Sequence, residues 1–280
     1  MTMLKPVRKF IHSILHYLCI FLLLAIFLFP VLILLSTALK LPGEILTSQS
    51  ILPQKLTFYN FLRIAGMQRF HRYLLNTLFV SLVTTFLSLV FACLAAYSLS
   101  SFRYPGRKLF SRFILMIYMF PEVLLIIPLF LIFNAYRLTD SYWSLIIAYT
   151  TFSIPFCVWM LKGFFDSLSK EIEDAAIIDG CTRLEVLTKI IIPLSAPAIM
   201  ATGAFAFMMA WNDFLFALVF INSDSLRTLS VGLNTLLGLY YFDYGLLTSA
   251  SIIMIIPVLI LFLCIQRMIV SGLSAGAVKG

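Results

Sequence analysis

The chain has 280 residues, of which 62% are hydrophobic and 11% are charged, with a mean hydropathy of +1.04. A soluble domain carries about 25% charged residues, so this composition excludes a soluble globule and indicates a polytopic membrane protein. The formal net charge of +8 is typical of basic loops on one side of a membrane, and we expect no nucleic-acid partner. The five cysteines form no CxxC pair, so no disulfide framework, metal site or cofactor is expected.

Six apolar segments are long enough to cross the hydrocarbon core as helices, which takes about 20 residues. They cover about residues 14–38, 74–98, 113–134, 143–164, 198–221 and 246–270. The first is too long for the apolar core of a signal peptide and is not closed by a cleavage site, so we interpret it as a retained helix. The prediction is an all-α polytopic membrane protein with a single transmembrane domain over residues 1–280 and both termini on one side.

The distribution of basic residues predicts which side that is. Of the 20 Lys and Arg residues, 13 lie in segments that share a side with the N-terminus, and 7 lie in the other segments. Cytoplasmic loops carry the excess of Lys and Arg in membrane proteins. We therefore expect six spans with both termini in the cytoplasm (N-in, C-in), and the turn at residues 103–112 is the densest basic turn on that side.

The longest polar run in the second half of the chain lies within residues 166–195. Ser169 is suited to cap the start of a helix, and Gly180 is suited to the left-handed conformation that often ends one. Thr182 and Glu185 then have the spacing of a capping box. The segment is therefore predicted to form a helix, a glycine turn and a second helix.

The first of these two helices is predicted to carry Ile172, Ala175, Ala176 and Asp179 on one face. Small side chains on that face favour the close approach of another protein. Residues 169–197 hold three basic and five acidic side chains, which anionic lipid would repel. These features favour a docking surface for a second protein, and an amphipathic hairpin lying on the membrane is the alternative.

The same segment resembles the EAA loop of ABC-importer permeases, which has the pattern E-A-A-x-x-x-G ahead of I-x-L-P. The resemblance implies a coupling helix that sits in a cleft of a cytoplasmic ATPase. Where the family has its leading Glu, this chain has Asp174, which is one methylene shorter, and Glu173 beside it is the second candidate for that role. The coupling residues implied by the resemblance are Glu173, Asp174, Ala175, Ala176, Asp179, Gly180 and Pro193.

Further motifs resemble the carbohydrate-importer branch, similar to the smaller permease of maltose-type systems. They are Asn76-Thr77, Ala95-Ala96-Tyr97-Ser98 before Phe102-Arg103-Tyr104-Pro105-Gly106-Arg107, Trp211-Asn212-Asp213-Phe214, and the tail at residues 272–280. The resemblance implies the ABC type I importer permease fold, a bacterial or archaeal cytoplasmic membrane, and a sugar substrate. It also implies a heterodimer with a second permease subunit, a cytoplasmic ATP-binding-cassette ATPase dimer, and an extracytoplasmic solute-binding protein.

Polar residues within the apolar spans are candidates for a substrate path, because such residues normally face a cavity or a partner. These candidates are Glu122, Asn134, Asn212 and Asp213. Hydrogen bonds between helices are an equally weighted interpretation of the same residues.

The chain has no HExxH or GxxxxGK[ST] pattern and no clustered set of His and Asp residues that would indicate an enzyme. The protein is therefore expected to be a transport subunit, with ATP hydrolysis on a partner chain. The alternatives are an ABC permease for a non-sugar solute such as glycerol phosphate, and an ion-coupled secondary transporter. A secondary transporter would place charge pairs along its spans, whereas this chain has two isolated acids there, Glu122 and Asp213.

Overall fold

The computed structural model describes residues 4–48, 50–236 and 243–277, with side chains over 12–48, 50–234 and 243–266. Every regular element within these ranges is a helix, as predicted, while the last three residues of the 272–280 tail motif lie outside them. The α-helices are α1 (Leu4–Ala38), α2 (Pro42–Thr47), α3 (Tyr59–Ala65), α4 (Gln68–Ser101), α5 (Arg107–Tyr118), α6 (Ile126–Ala135), α7 (Tyr142–Ser167), α8 (Lys170–Ile178), α9 (Arg183–Val186), α10 (Ile192–Leu194), α11 (Ala196–Asn212), α12 (Leu215–Phe220), α13 (Leu229–Leu236) and α14 (Tyr244–Ala277). Two 3-10 turns and one π-helical turn complete the set: Glu122–Leu125, Asp224–Leu226 and Leu187–Ile191.

Four helices in the described ranges are long and apolar enough to cross a membrane. They are His12–Ala38, Gln68–Ser101, Tyr142–Ser167 and Tyr244–Gln266. The number rises to six if two bent pairs each form one span. The pairs are Arg107–Tyr118 with Glu122–Ala135, bent by 89°, and Arg183–Leu194 with Ala196–Asn212, bent by 83°. Six spans in the N-in, C-in orientation stay a prediction.

The apolar segment 113–134 is divided into two pieces rather than forming one helix. α5 ends at Tyr118, and the next helical turn begins at Glu122, after Pro121. Proline has no N–H to donate, and it disfavours the helical conformation in the residue before it. The helix therefore stops ahead of Pro121, and the chain turns by 89° before it becomes helical again.

The apolar segment 198–221 is also divided. α11 ends at Asn212, Asp213 is extended with ψ of 137°, and α12 begins at Leu215. The break places a carboxylate and a run of backbone amides in the middle of an otherwise apolar segment.

By its internal contacts the chain divides into two compact units. The first unit comprises Met1–Met67 with Thr235–Ile255, and the second comprises Gln68–Asn234 with Ile256–Gly280. Each unit is described by itself, and the single domain predicted over residues 1–280 stays a prediction.

In the first unit, a buried asparagine donates hydrogen bonds to the free backbone carbonyls at the end of α1. Asn60 is fully buried, and its Nδ2 donates to the carbonyl of Ala38 at 3.1 Å. A Cβ at Gly245 would lie 2.6 Å from the Oδ1 of Asn60, so only glycine allows α14 to approach this closely. Arg63 pairs with Asp243 at 2.8 Å beside this contact. The end of α1, α3 and the start of α14 are thus held together around Asn60.

The second unit is built on mutual packing of α4, α7 and α11. Small residues at their contacts, including Ala92, Ala96 and Ala206, are fully buried and let the backbones approach closely. The hydroxyls of Ser88 and Ser153 are hydrogen-bonded across α4 and α7 at 2.5 Å. The same buried cluster includes Ala176 and Val186 of the polar segment. The polar segment is therefore packed against the helices and does not form a loose loop.

At its start, α4 holds the chain segment 222–229 in place. The Asn76 amide donates to the carbonyls of Ser225 and Arg227, both at 2.9 Å, and its oxygen accepts the Tyr142 hydroxyl at 2.7 Å. The Thr77 hydroxyl oxygen accepts the first backbone N–H of α13 at 2.7 Å. The Asn76-Thr77 pair is therefore a structural clamp on this segment.

Candidate functional site

The polar segment 166–195 opens with a capped helix. Ser169 has an extended backbone, and its hydroxyl oxygen accepts the N–H of Glu171 at 3.3 Å. α8 follows, with Glu171 and Glu173 in its first turn, where acidic side chains favour the helix dipole. The structure places this start where the local sequence predicted it.

A left-handed glycine separates α8 from α9, as predicted. Asp179 is the C-cap of α8, and Gly180 has φ of +89°, a conformation that strains residues with a Cβ. The Oγ1 of Thr182 then accepts the N–H of Glu185 at 3.3 Å, and the Glu185 carboxylate accepts the N–H of Thr182 at 2.9 Å. Both halves of the predicted capping box are present.

The junction with α11 is a sharp bend. α9 passes through the π-helical turn into α10, which contains Pro193 and ends at Leu194. Because Pro193 has no N–H, the regular hydrogen-bond ladder is interrupted where the π-helical turn ends. Ser195, fully buried, follows, and α11 leaves at 83° from the Arg183–Leu194 helix.

Glu173 points into the protein and is 7% exposed. Its Oε1 accepts the Tyr97 hydroxyl at 2.9 Å, and the Nη1 of Arg183 donates to the same oxygen at 2.7 Å. The Arg183 guanidinium also lies over the Phe102 ring, 5.4 Å from its centroid. The charge of Glu173 is thus compensated inside this chain, and the carboxylate ties α8 to α9 and to the end of α4.

The outward side of α8 exposes a row of apolar side chains. Ile172 is 43% exposed and Ile178 is 85% exposed, with Ala175 exposed between them; these three residues are called the apolar stripe. Asp174 is exposed beside it. The predicted face is correct for Ile172, Ala175 and Asp179, but Ala176 is buried at 6% because it packs into the core beneath α8.

Asp213 is placed at the break between α11 and α12 by two sets of hydrogen bonds. Its Oδ2 accepts the Tyr149 hydroxyl of α7 at 2.6 Å and the N–H of Ala217 at 3.1 Å. No sequence pattern distinguishes Tyr149 from the other 11 tyrosines, although a hydroxyl in an apolar span needs a partner. The carboxylate therefore makes the helix–helix contact that was one of the two interpretations of this residue.

The other three candidate path residues are at least partly exposed. Glu122 is half-buried in the 3-10 turn after Pro121. Asn212 is exposed at the end of α11, and its amide donates to the carbonyl of Met208 at 2.9 Å. Asn134 is exposed in α6, and no hydrogen bond between described residues links its side chain to the other three.

Comparison with known proteins gives this arrangement a context. Residues 88–274 match the family model described as "Binding-protein-dependent transport system inner membrane component". The sulfoquinovosyl glycerol transport system permease protein SmoH of Agrobacterium fabrum is 40% identical over 255 residues, which is 90% of this chain and 89% of the relative. The trehalose transport system permease protein SugB of Mycobacterium tuberculosis is 34% identical over 255 residues, 90% of this chain and 93% of the relative.

A solved structure has the same fold. One chain of a bacterial ABC transporter involved in the import of the acidic polysaccharide alginate superposes with a TM-score of 0.78 at 24% identity. The match covers 93% of this chain and 97% of that chain. The ABC-importer permease fold implied by the motifs is confirmed. The protein is therefore a multi-pass permease of the cytoplasmic membrane, and it belongs to the family of binding-protein-dependent transport system inner membrane components.

Proposed function

We propose that this chain carries a sugar or short oligosaccharide across the membrane as one of two permease subunits of an ATP-driven importer. The observation that supports this most is the set of relatives at 34–40% identity, whose names specify sulfoquinovosyl glycerol and trehalose transport. A permease for glycerol phosphate or another non-sugar solute is the less supported alternative. An ion-coupled secondary transporter is not favoured, since the chain belongs to a binding-protein-dependent family.

We infer that the partners are a second permease subunit, a cytoplasmic ATPase dimer and an extracytoplasmic solute-binding protein. Six spans with both termini in the cytoplasm would place residues 166–195 on the ATPase side. The chain itself would then contribute the membrane path and no catalytic residue.

The coupling role proposed for residues 166–195 is supported by how the segment is built. α8 is capped at both ends, and its inner side is fixed by the Glu173–Arg183 pair at 2.7 Å. Its outer side presents the apolar stripe, with Ile178 85% exposed to solvent. A short helix held rigidly on one side and apolar on the other is suited to sit in a groove of a partner and to pass on its movement.

Within this proposal, Asp174 takes the role of the family's leading Glu, and Glu173 does not. The Glu173 carboxylate already binds Tyr97 and Arg183, at 2.9 and 2.7 Å, whereas Asp174 is exposed beside the apolar stripe. Ala175, Asp179 and Gly180 form the rest of the proposed contact, while Ala176 and Pro193 shape the segment from within.

For the substrate path, we propose that Glu122, Asn212 and Asp213 contribute polar groups near the helix breaks that precede Glu122 and follow Asn212. Asn134, further along α6, is proposed as a more distant member of the same path. Hydroxyl groups of a sugar require such donors and acceptors in an otherwise apolar passage.

Two cysteine variants test the docking surface on the assembled importer. Ala175→Cys, on the apolar stripe, should form a crosslink to the ATPase subunit with a short bifunctional thiol reagent. Ala176→Cys is the matched control, because this neighbour is 6% exposed and faces the core. Equal crosslinking of both variants, or labelling of Ala175→Cys only from outside the cell, would contradict the proposed docking.

Uptake into proteoliposomes tests the substrate. The importer, assembled with its binding protein, should accumulate a labelled disaccharide or glycoside in an ATP-dependent manner and should not accumulate glycerol phosphate. Accumulation of glycerol phosphate alone would support the alternative substrate class instead.

A further inference from the structure

A basic groove lies where the turn after α4 meets the starts of α5 and α8. It has a volume of about 680 Å³ and eight lining residues, and none of them is acidic. Five of the eight are basic: Arg103, Arg107, Lys108, Arg112 and Lys170. Such a concentration of one sign of charge favours an anion in the groove.

The charges of the groove are not neutralised within the described part of the chain. Among the described residues, no carboxylate lies within 4.0 Å of any of the five basic groups. Arg107 donates to the carbonyls of Ser100 and Phe102, at 3.3 and 2.8 Å, which fixes the guanidinium but leaves its positive charge.

Two carboxylates are near, but each is already paired. Asp166 and Glu173 line a neighbouring cavity together with Arg107 and Lys170. Asp166 accepts from Lys162 at 2.5 Å, and Glu173 pairs with Arg183 at 2.7 Å. Both negative charges are thus held by other basic groups, and the groove keeps its surplus.

The basic residues of α5, which forms one wall of the groove, do not stabilise that helix. Lys108 and Arg112 are one turn apart on α5, where like charges repel. Lys108 lies in the first turn of α5, which has no acidic residue, so its charge also opposes the helix dipole. An anion between them would relieve both unfavourable terms.

An apolar surface runs away from the groove along the same helix. Leu109 lines the groove and is 73% exposed, and Phe113 and Met116 follow at 49% and 60% exposure. Their spacing of four and three residues places them on one face of α5. A ligand that fills both surfaces has an anionic head and an apolar body.

We propose that this groove binds the phosphate headgroup of an anionic phospholipid, whose acyl chains lie along Leu109, Phe113 and Met116. Clusters of Lys and Arg at the cytoplasmic end of a membrane helix bind such headgroups, and this groove lies at the end of α4 that the proposed N-in, C-in orientation places in the cytoplasm. The bound phosphate would bridge the start of α5 and Lys170, the first residue of α8.

Native mass spectrometry of the assembled importer, exchanged into equal amounts of phosphatidylglycerol and phosphatidylcholine, tests this site. The wild type should retain phosphatidylglycerol preferentially. Lys108→Gln/Arg112→Gln should lower that preference about 25-fold, since each basic residue near an anionic surface contributes roughly fivefold in binding. The control Lys55→Gln/Arg72→Gln removes the same charge outside the groove and should leave the preference unchanged. Lys108→Arg/Arg112→Lys, which keeps both charges, should also leave it unchanged.

Several outcomes would overturn the site. An unchanged preference in Lys108→Gln/Arg112→Gln, or an equal fall in the control, would show that the lipid is not held here. Displacement of the lipid by an equal concentration of inorganic phosphate or of glycerophosphoglycerol would show that the acyl chains contribute nothing, so the groove would be a simple anion site. Loss of the ATPase subunit with phosphatidylglycerol retained would assign the groove to a protein contact.

Discussion

Two adjacent carboxylates, Glu173 and Asp174, face opposite surroundings on α8. Helical geometry turns successive side chains by about 100°, so one of the two can be buried while the other is exposed. Glu173 is held inside by Tyr97 and Arg183, and Asp174 faces out beside the apolar stripe. Two neighbours of similar chemistry therefore have different expected roles, one in stability and the other in docking.

Substitution of these two residues should separate the roles. Glu173→Gln removes the charge that faces Arg183 and should lower the free energy of unfolding by about 1–3 kcal/mol, seen as a lower melting temperature in detergent. Asp174→Asn should leave the melting temperature unchanged and reduce transport-coupled ATP hydrolysis in the assembled importer. If Asp174→Asn lowered the melting temperature as much as Glu173→Gln, the division of roles would be wrong.

The break at Asp213 gives a second pair of residues with separable effects. Tyr149→Phe removes the donor 2.6 Å from the Asp213 carboxylate and should destabilise the protein by about 0.5–2 kcal/mol. Asn212→Ala, at the exposed neighbour, should leave the melting temperature unchanged and lower the rate of substrate uptake. Normal uptake in Asn212→Ala would remove this residue from the proposed path.

At the scale of helices, the sequence predicts a feature when the residues that stabilise it lie close together in the chain. The caps at Ser169, Gly180 and Thr182 are decided by residues within one turn, and the structure has each of them as predicted. The break at Asp213 is stabilised by Tyr149, 64 positions away. A local pattern carries no information on such a partner, so the sequence alone predicts an unbroken helix there.

The inner side of α8 was not predictable for the same reason. The small-residue pattern identified the helix and most of its exposed face. The burial of Ala176 and Glu173 depends on α4, which contributes Tyr97 and comes much earlier in the chain. The sequence could therefore place the candidate site in the chain but could not tell which of its carboxylates faces outward.

Two glycines should respond to alanine with opposite sign. A Cβ at Gly232 would lie 2.1 Å from Cδ2 of Tyr73, whereas a Cβ at Gly163 meets nothing within 4 Å. Gly232→Ala should destabilise the protein by about 1–3 kcal/mol because the α13–α4 contact is overpacked. Gly163→Ala, within α7, should stabilise it by about 0.5–1 kcal/mol. Thermal melting of both variants in the same detergent measures this, and a shift of the same sign in both would contradict the packing described here.

At the scale of the whole molecule, one carboxylate makes stability depend on pH. Asp140, in the turn ahead of α7, is hydrogen-bonded to the residues that follow α12. Its carboxylate accepts the hydroxyl of Ser223, the N–H of Ser223 at 2.8 Å and the N–H of Asn222 at 2.9 Å. These hydrogen bonds, that from the Ser223 hydroxyl first, hold the pKa of Asp140 below its usual value. Folding therefore favours the ionised carboxylate.

The pH dependence of stability follows from that direction. The contribution of Asp140 is fully present above the ordinary carboxyl pKa of about 3.9 and is lost as the pH falls through the lowered pKa. Asp140→Asn should melt at a lower temperature than the wild type, by an amount that is constant from about pH 5 to about pH 8. The two melting temperatures should converge below about pH 4. A gap that widened on acidification would show that the neutral carboxyl is the stabilising form.

The 83° bend between the Arg183–Leu194 helix and α11 makes α11 a lever arm. α11 has 17 residues, which at 1.5 Å per residue is about 26 Å of length. A tilt of about 10° at the bend would sweep its far end through roughly 4–5 Å, given that length. That far end carries Asn212 and adjoins Asp213. A small displacement of α8 and α9, which leaves their core packed, would therefore move the far end of α11 by a larger distance. That distance is enough to make or break a hydrogen bond to a sugar hydroxyl.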